Sequence, residues 1–192
     1  MKRISLPLLL ITITTMAFVT TTPSSWQLDT AHSNLRFSVT NLLISEIEGT
    51  FKMTESTITA QKEDFSDAVV SMVADINSVD TDNDARDAHL RTADFFDAVK
   101  YPTMTFSSTS FEKLSDKKYK VTGNLTLHGV TKQVMLEAIA NFGTHPMSKK
   151  TIAGFKITGS IKRTDFGIAP STPSAMISDE VYVVANAQFA KN

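Results

Sequence analysis

The feature that most constrains the fold is an alternation of apolar and polar residues with a period of two, which recurs from Trp26 onward. Successive side chains of a β-strand point to opposite faces, so this alternation is typical of strands with one buried face. With few helical patterns between these segments, the sequence predicts an all-β, antiparallel sandwich or barrel of about eight strands. The clearest segments are 35–39, 47–53, 119–127, 153–161 and 181–189, and the weaker ones are 68–76, 103–111 and 133–141.

One segment departs from this alternation and predicts a short helix. Residues 81–84 resemble a capping box, and residues 84–91 follow without glycine or proline. Asp87 and Arg91 are spaced as a helical ion pair with the acid on the N-terminal side. Residues 92–96 predict a second short helical turn. A helix inserted between strands is a natural lid for one end of a barrel.

The beginning of the chain differs from the rest in composition. The basic pair Lys2-Arg3 precedes an uncharged run over residues 4–19. This run is shorter than the ~20 apolar residues that a membrane-spanning helix needs, and it is typical of a secretory signal peptide. We therefore expect a signal peptide over residues 1–22 and one domain over residues 23–192.

Composition narrows the cellular location and the partners. The chain has no cysteine and a formal net charge of −1. Without cysteine, the chain can form neither disulfides nor a lipidated cysteine. Because its net charge is close to zero, it lacks the positive electrostatic field that attracts nucleic acid, so we expect no nucleic-acid partner. Together with a leader cleaved between Ala17 and Ser25, these features predict a periplasmic protein, and secretion from the cell is left open.

Residues of the inferred inward face mix bulky and small side chains. An eight-stranded barrel is just wide enough to be filled by side chains or to hold one small ligand. A filled interior favours branched aliphatic residues, so small inward residues favour a ligand cavity. Glycines at bulges or barrel corners are the alternative, and the sequence leaves both open. The small residues are Gly49, Ser108, Gly123, Ala138, Gly159, Ala185 and Ala187.

Signals for catalysis are sparse. The sequence contains no Gly-rich phosphate loop, no G-x-S-x-G motif and no thiol. Of the four histidines, His128 is expected in a two-residue hairpin turn and His145 in a loop, both at the surface. His32 and His89 are expected near one mouth of the barrel as hydrogen-bonded anchors of the lid. We therefore expect no catalytic residue, no metal and no cofactor.

Two polar clusters are also expected near that mouth. Arg86 and Asp87 lie on the predicted helix, and Arg163 and Asp165 follow a predicted strand. The second pair is interpreted as a structural ion pair at the barrel rim. For both clusters a structural role is preferred over contact with the polar end of a ligand, because exposed ion pairs are common and weak.

Several short motifs resemble, in order and spacing, the YceI-like family, a polyisoprenoid-binding, lipocalin-like family. They are Trp26 to Ser33, Gly49 to Phe51, Arg86 to Leu90, Asp94 to Asp97, Tyr101 to Phe106, Gly123 to Lys132 and Arg163 to Ile168. The resemblance covers Trp26 to Ala190. It implies an extended eight-stranded antiparallel lipocalin-like barrel with a helical insert, usually exported, whose apolar tunnel holds a long isoprenoid or fatty-acyl ligand.

The sequence and this resemblance together predict a non-enzymatic protein that binds, stores or transports one long apolar lipid. Polyisoprenoids, isoprenoid quinones and fatty-acyl amides are the candidate lipids. An envelope interaction or stress-response module with a packed barrel is one alternative, and an isoprenoid-modifying enzyme with His32 or His89 as general base is another. Contacts with envelope membrane proteins and a homodimer are left open.

The predicted site has two parts. The first part is the predicted lipid-binding lining of the tunnel: Phe37, Phe51, Phe106, Leu125, Phe155 and Ile157. Phe95 and Phe96 belong to this lipid-binding part as the apolar plug of the lid. The polar mouth or lid is His32, Arg86, Asp87, His89, Arg163 and Asp165.

Overall fold

A computed structural model describes residues 23–192, so the signal peptide expected over residues 1–22 lies outside the described residues. The strands are β1 (Ser24–Asn41), β2 (Ser45–Ala60), β3 (Val69–Asp80), β4 (Thr103–Ser115), β5 (Lys118–Leu127), β6 (Val130–Thr144), β7 (Thr151–Lys162) and β8 (Glu180–Lys191). Helix α1 (Asp84–Leu90) lies between β3 and β4, and a 3-10 helix (Arg163–Phe166) follows β7. Within residues 23–192, no helix has the length and apolar character needed to cross a membrane.

The eight strands form one closed barrel. Each strand pairs antiparallel with the next along the chain, and β8 pairs with β1. Closure satisfies the backbone hydrogen-bonding groups that an open sheet would expose at its edges. The predicted eight-stranded antiparallel barrel with a short helical insert is confirmed, and the sandwich alternative is wrong.

The two ends of the barrel are closed by different segments. Because consecutive strands are antiparallel, alternate connections lie at the same end. The lid end carries residues 42–44, 81–102, 128–129 and 163–179. The plugged end carries residues 61–68, 116–117 and 145–150, together with the start of β1 and the end of β8.

Aromatic side chains fill the plugged end. Phe65, on the β2–β3 connection, is 3% exposed, and its ring centroid lies 5.1 Å from that of Trp26 and 5.2 Å from that of Phe142. Phe155 of β7 packs edge-on against Phe65 at 5.7 Å. Such pairs stabilise by about 0.5–1.5 kcal/mol beyond the area that they bury. The barrel interior at this end is therefore packed with side chains.

Two inward glycines make room for rings of neighbouring strands. A Cβ atom at Gly49 would lie 2.5 Å from the Phe37 ring, and one at Gly123 would lie 2.4 Å from the Phe106 ring. These positions are small because an aromatic side chain covers them. An open cavity therefore does not explain these two glycines. At Gly123 the alternative of a bulge applies as well, because the pairing of β4 with β5 shifts register between its partner Ser108 and Ser110.

The hairpin turn between β5 and β6 is formed by His128 and Gly129. Both have positive φ angles, 52° and 73°, as in the turns that match the twist of paired strands. The predicted two-residue turn is confirmed, but His128 is half-buried rather than at the surface. Its Nδ1 lies 3.0 Å from the carbonyl oxygen of Phe166, and its ring packs edge-on against Tyr101 at 4.9 Å.

Helix α1 confirms the predicted helical insert but not its ion pair. Asn83 caps the helix, because its side-chain oxygen accepts a 2.9 Å hydrogen bond from the Arg86 N–H. Arg91 does not pair with Asp87 and instead donates to the carbonyl oxygens of Asn77 and Val79, both at 2.9 Å. Residues 92–96 form turns instead of the expected helical turn.

Candidate ligand cavity

A cavity of about 820 Å³ occupies the barrel interior toward the lid end. All eight strands contribute side chains to its wall, and so do residues 81–96 and 168–177 of the lid end. Phe111, Phe155 and Phe189 form its floor at the plugged end, whereas Trp26 and Phe65 lie beyond the floor and do not reach the cavity. The cavity is therefore closed by aromatic rings at one end and bordered by loops at the other.

The predicted apolar residues all lie in the cavity wall. They are Phe37, Phe51, Phe95, Phe96, Phe106, Leu125, Phe155 and Ile157. Phe37 lies 5.3 Å from Phe51, and Phe51 lies 5.4 Å from Phe96, measured between ring centroids. The rings of strands β1 and β2 therefore contact the connection that follows α1. Contact of these residues with a lipid stays a prediction.

Sequence reasoning missed one whole part of the wall. Residues 168–177 carry no alternation and form neither helix nor strand except for one bridge, so no periodic signal pointed to them. The motif that begins at Arg163 was the available clue, since it fixes this segment. The missed wall residues are Ile168, Ala169, Pro170, Ser171, Thr172, Met176 and Ile177.

Arg163 holds this segment in place. The residue is 4% exposed, and its five guanidinium N–H groups are all used in hydrogen bonds to backbone oxygens. The acceptors are the carbonyls of Ile168, Ala169, Thr172, Ile177 and Ser178. Arg163 therefore supports the cavity wall by tying a loop to the end of β7.

The predicted ion pair between Arg163 and Asp165 is wrong. Asp165 is exposed and lies outside the cavity wall, whereas the N–H groups of Arg163 all bind backbone carbonyls. The nearby acid with a structural role is Asp179, whose carboxylate accepts hydrogen bonds from the Thr164 hydroxyl at 2.7 Å and backbone N–H at 3.1 Å. The hydroxyl bond is the main cause that lowers the pKa of Asp179, and the charge of Arg163 adds to it.

A second buried network fixes the lid. Thr81 and Asp87 are each 5% exposed, and Asp87 Oδ1 accepts hydrogen bonds from the Thr81 N–H at 3.0 Å and hydroxyl at 2.6 Å. Arg86 donates from Nε to Thr81 Oγ1 and from Nη2 to the Thr81 carbonyl, both at 2.7 Å. Thr81 and Arg86 lie in the cavity wall, and Asp87 lies behind it. This arrangement places Arg86 and Asp87 in the lid.

The structure separates the two histidines that were expected to share a mouth. His89 lies in the cavity wall, 60% exposed, with Nε2 3.8 Å from Asp94 Oδ2. His32 lies outside the wall on β1, 67% exposed, with Nδ1 2.8 Å from Asp29 Oδ2. This hydrogen bond is the main cause that lowers the pKa of Asp29. The placement of His32 at the mouth is wrong, because β1 runs from the plugged end at Ser24 to the lid end at Asn41 and His32 lies midway along it.

The chemistry available to the cavity is mainly that of an apolar container. Hydrocarbon and aromatic side chains make up most of the wall, with ionisable groups such as Arg86, His89, Asp94 and Arg163 among the exceptions. Within residues 23–192, no three histidine or acidic side chains come together in a group that could hold a metal ion. His89, the histidine in the wall, lies 3.8 Å from the Asp94 carboxylate, which is longer than a hydrogen bond. Its ring packs edge-on against Phe95, with the ring centroids 5.0 Å apart.

A closed eight-stranded barrel with an internal apolar cavity and a helical insert defines the class of lipocalin-like barrels. The sequence matches the YceI-like domain over residues 26–189, and the chain belongs to that family. A relative, the YceI protein of Salmonella newport, is 40% identical over 158 residues, which cover 82% of this chain and 81% of the relative.

Solved structures share the fold. The Campylobacter jejuni YCEI protein is 34% identical, with a TM-score of 0.69, and the match covers 78% of this chain and 87% of that one. A polyisoprenoid-binding domain from Saccharophagus degradans, implicated in plant cell wall breakdown, is 19% identical with a TM-score of 0.62. That match covers 87% of this chain and 98% of the domain, and at this identity it supports the fold alone.

Proposed function

We propose that this protein binds one long apolar lipid inside the barrel and stores or transports it in the cell envelope. The observation that carries the proposal is the cavity of about 820 Å³, whose mainly apolar wall is contributed by all eight strands. This volume falls within the range of roughly 300–1,000 Å³ that is typical of small-molecule sites. The polar groups at the lid end would orient the ligand, and its affinity would come from buried area.

The wall of this cavity suits an apolar occupant. Without a ligand, water can enter from the lid end, where loops border the cavity. Water is a poor occupant because the wall offers it few hydrogen-bonding partners. An apolar chain gains about 0.8 kcal/mol per buried methylene, so it suits this wall best.

The candidate ligands are polyisoprenoids, isoprenoid quinones and fatty-acyl amides. The description of the Saccharophagus degradans domain as polyisoprenoid binding is consistent with the first class. Binding is favoured over catalysis because His89, the histidine of the wall, is 60% exposed and its nearest acid, Asp94, is 3.8 Å away and 81% exposed. Catalysis instead of binding would appear as a new lipid product after incubation with the purified protein.

Export to the periplasm is part of this proposal. Ser24 pairs with Ala60, and Asn192 donates hydrogen bonds to the Ser25 carbonyl at 3.0 Å and hydroxyl at 2.7 Å. A cut before Ser24 keeps these contacts, so we expect the mature chain to begin between Ala17 and Ser24. N-terminal sequencing of the periplasmic fraction tests this expectation, and an intact Met1 on a membrane-embedded product would contradict it.

The test of binding compares two tryptophan variants of one strand. Ala185 lies in the cavity wall, whereas its neighbour Val184 lies on the outer face beside Arg36 and Lys156. Native mass spectrometry of the wild type, purified without detergent, should show bound lipid that organic extraction removes. Ala185→Trp should lose this lipid, because the ring occupies the cavity, and Val184→Trp should keep it. A wild type that stays empty even after incubation with solanesol, a long polyisoprenoid alcohol, would refute the proposal.

A further inference from the structure

Three consecutive apolar residues form the loop between β1 and β2 at the lid end. Leu42, Leu43 and Ile44 are 54%, 70% and 85% exposed, and we refer to them as the apolar tip. Met176, which is 52% exposed, lies beside them, because its carbonyl oxygen accepts a 2.9 Å hydrogen bond from the Leu42 N–H. A run of aliphatic side chains this exposed is unusual at a turn, where polar residues and glycine predominate.

The backbone of the apolar tip is also unfavourable for leucine. Leu42 and Leu43 have φ angles of 51° and 61°, in the left-handed region. The Cβ atom disfavours this region, which glycine and asparagine occupy more readily. A turn that only joined two strands would therefore be more stable with asparagine or glycine at both positions. Two leucines that are both strained and exposed indicate a role outside folding.

The apolar tip projects from the rim of the cavity. Asn41 and Ile47, which flank it in sequence, lie in the cavity wall, and so do Met176 and Ile177. Asn41 forms a β-bridge with Ile177, which joins the base of the tip to the loop that Arg163 supports. An object that binds the tip therefore lies next to the lid end of the cavity.

We propose that the apolar tip inserts into the surface of a lipid bilayer and sets the cavity rim against the membrane while a ligand enters or leaves. This inference rests on the proposed function, because a long apolar ligand resides in membranes and crosses water poorly. Exposed aliphatic side chains bury themselves at the boundary between headgroups and acyl chains. The tip would thus shorten the path between bilayer and cavity.

The size and charge of the tip favour a membrane over a protein partner. A stable protein interface buries about 800 Å² on each partner, well above what three or four side chains offer. The neighbouring charges do not form a basic patch, since Glu46 follows the tip and Arg36 pairs with Glu48 at 2.8 Å. Insertion should therefore depend on apolar contact, and it should change little with salt or with the fraction of anionic lipid.

The test removes two of the three apolar side chains of the tip, the two leucines, while relieving the backbone strain. Leu42→Asn/Leu43→Asn places asparagine where the backbone is left-handed, so this variant should fold and melt at least as well as the wild type. The matched control is Leu114→Asn/Met147→Asn, which changes residues that are 55% and 87% exposed at the plugged end. In flotation with phosphatidylethanolamine–phosphatidylglycerol vesicles, the tip variant should bind at least tenfold less than the wild type and the control. All three proteins should bind solanesol equally in the absence of vesicles.

Several outcomes would overturn the membrane contact. One is equal vesicle binding by the tip variant and the wild type, and another is a wild type that does not bind vesicles. A wild-type dimer that the tip substitutions convert to a monomer, without vesicle binding, would assign the tip to self-association. Vesicle binding that depends on the tip, in a protein that does not bind solanesol, would support the membrane contact and refute the proposed function.

Discussion

Arg163 shows how a charged side chain can be buried when backbone carbonyls, rather than a carboxylate, accept its hydrogen bonds. A buried charge is costly unless hydrogen bonds replace its hydration, and here five backbone carbonyls do so. The carbonyls belong to a loop that has almost no strand or helix pairing of its own. The same residue therefore satisfies its own charge and gives the cavity wall a fixed shape.

Replacing Arg163 should destabilise the protein strongly. Arg163→Met leaves several carbonyls without a donor, at about 1–3 kcal/mol for each buried one, so we expect a loss of at least about 3 kcal/mol. Arg36→Met is the matched control, because Arg36 is exposed and pairs with Glu48 at the surface, and it should cost less than about 1 kcal/mol. Urea unfolding measures both, and similar losses would contradict the role given to Arg163.

Gly123 and Gly154 offer a second matched comparison. A Cβ atom at Gly123 would lie 2.4 Å from the Phe106 ring and 2.6 Å from the Ser107 carbonyl oxygen, whereas one at Gly154 meets nothing within 4 Å. Gly123→Ala should cost roughly 1–3 kcal/mol through overpacking. Gly154→Ala should be neutral or stabilising by up to about 1 kcal/mol, because alanine restricts the unfolded chain. Thermal melting distinguishes the two, and an unaffected Gly123→Ala would show that Phe106 moves aside freely.

At the scale of elements, the sequence predicted the strands well and the loops poorly. Period-two alternation follows directly from strand geometry, so all eight strands were located, although their ends were not. Residues 168–177 were missed because their position depends on Arg163 hydrogen bonds, which leave no periodic pattern. The Asp87–Arg91 pair was wrongly predicted because Arg91 binds carbonyls of β3 instead. In both cases, contacts between residues separated in sequence determined the structure, and a local pattern does not reveal them.

Bound lipid should slow amide hydrogen exchange throughout the two lid segments that border the cavity. Residues 84–96 and 168–177 lie against the cavity, so bound lipid adds contacts to them. We expect their amide hydrogens to exchange more slowly in lipid-loaded protein than in delipidated protein, because contacts suppress local opening. Residues 61–68 at the plugged end are the internal control and should not change, since Phe65 is already packed among rings. Hydrogen–deuterium exchange with mass spectrometry tests this, and uniform protection over both ends would contradict it.

At the scale of the whole molecule, barrel closure decides where the interior is filled. Trp26, Phe65 and Phe142 are far apart in sequence, yet closure brings their rings together at the plugged end. The sequence showed that these residues are apolar but not that they share one end. It left open whether the barrel is packed or hollow, and the structure is packed at one end and hollow at the other. That division follows from strand register, which alternation alone does not determine.

Lipid that binds in the cavity should raise the melting temperature of the protein. A ligand that binds only the folded state at 100 times its Kd stabilises by about 2.7 kcal/mol. For a domain of this size, each kcal/mol raises the melting temperature by about 2–4 °C, so we expect a rise of roughly 5–10 °C for the delipidated wild type titrated with solanesol. Val184→Trp should show the same rise, because its ring lies on the outer face.

Ala185→Trp should melt close to the delipidated wild type and should not respond to solanesol. Its ring would enter space that the lipid uses, since Ala185 lies in the cavity wall and is only half-buried. In a packed core the same substitution would cost roughly 1–3 kcal/mol or more through overpacking. Two results together would mean that side chains fill the barrel in solution. They are a melting temperature of delipidated Ala185→Trp far below that of the delipidated wild type, and a wild type whose melting temperature does not change with solanesol. Together, these results would refute both the cavity and the carrier function that depends on it.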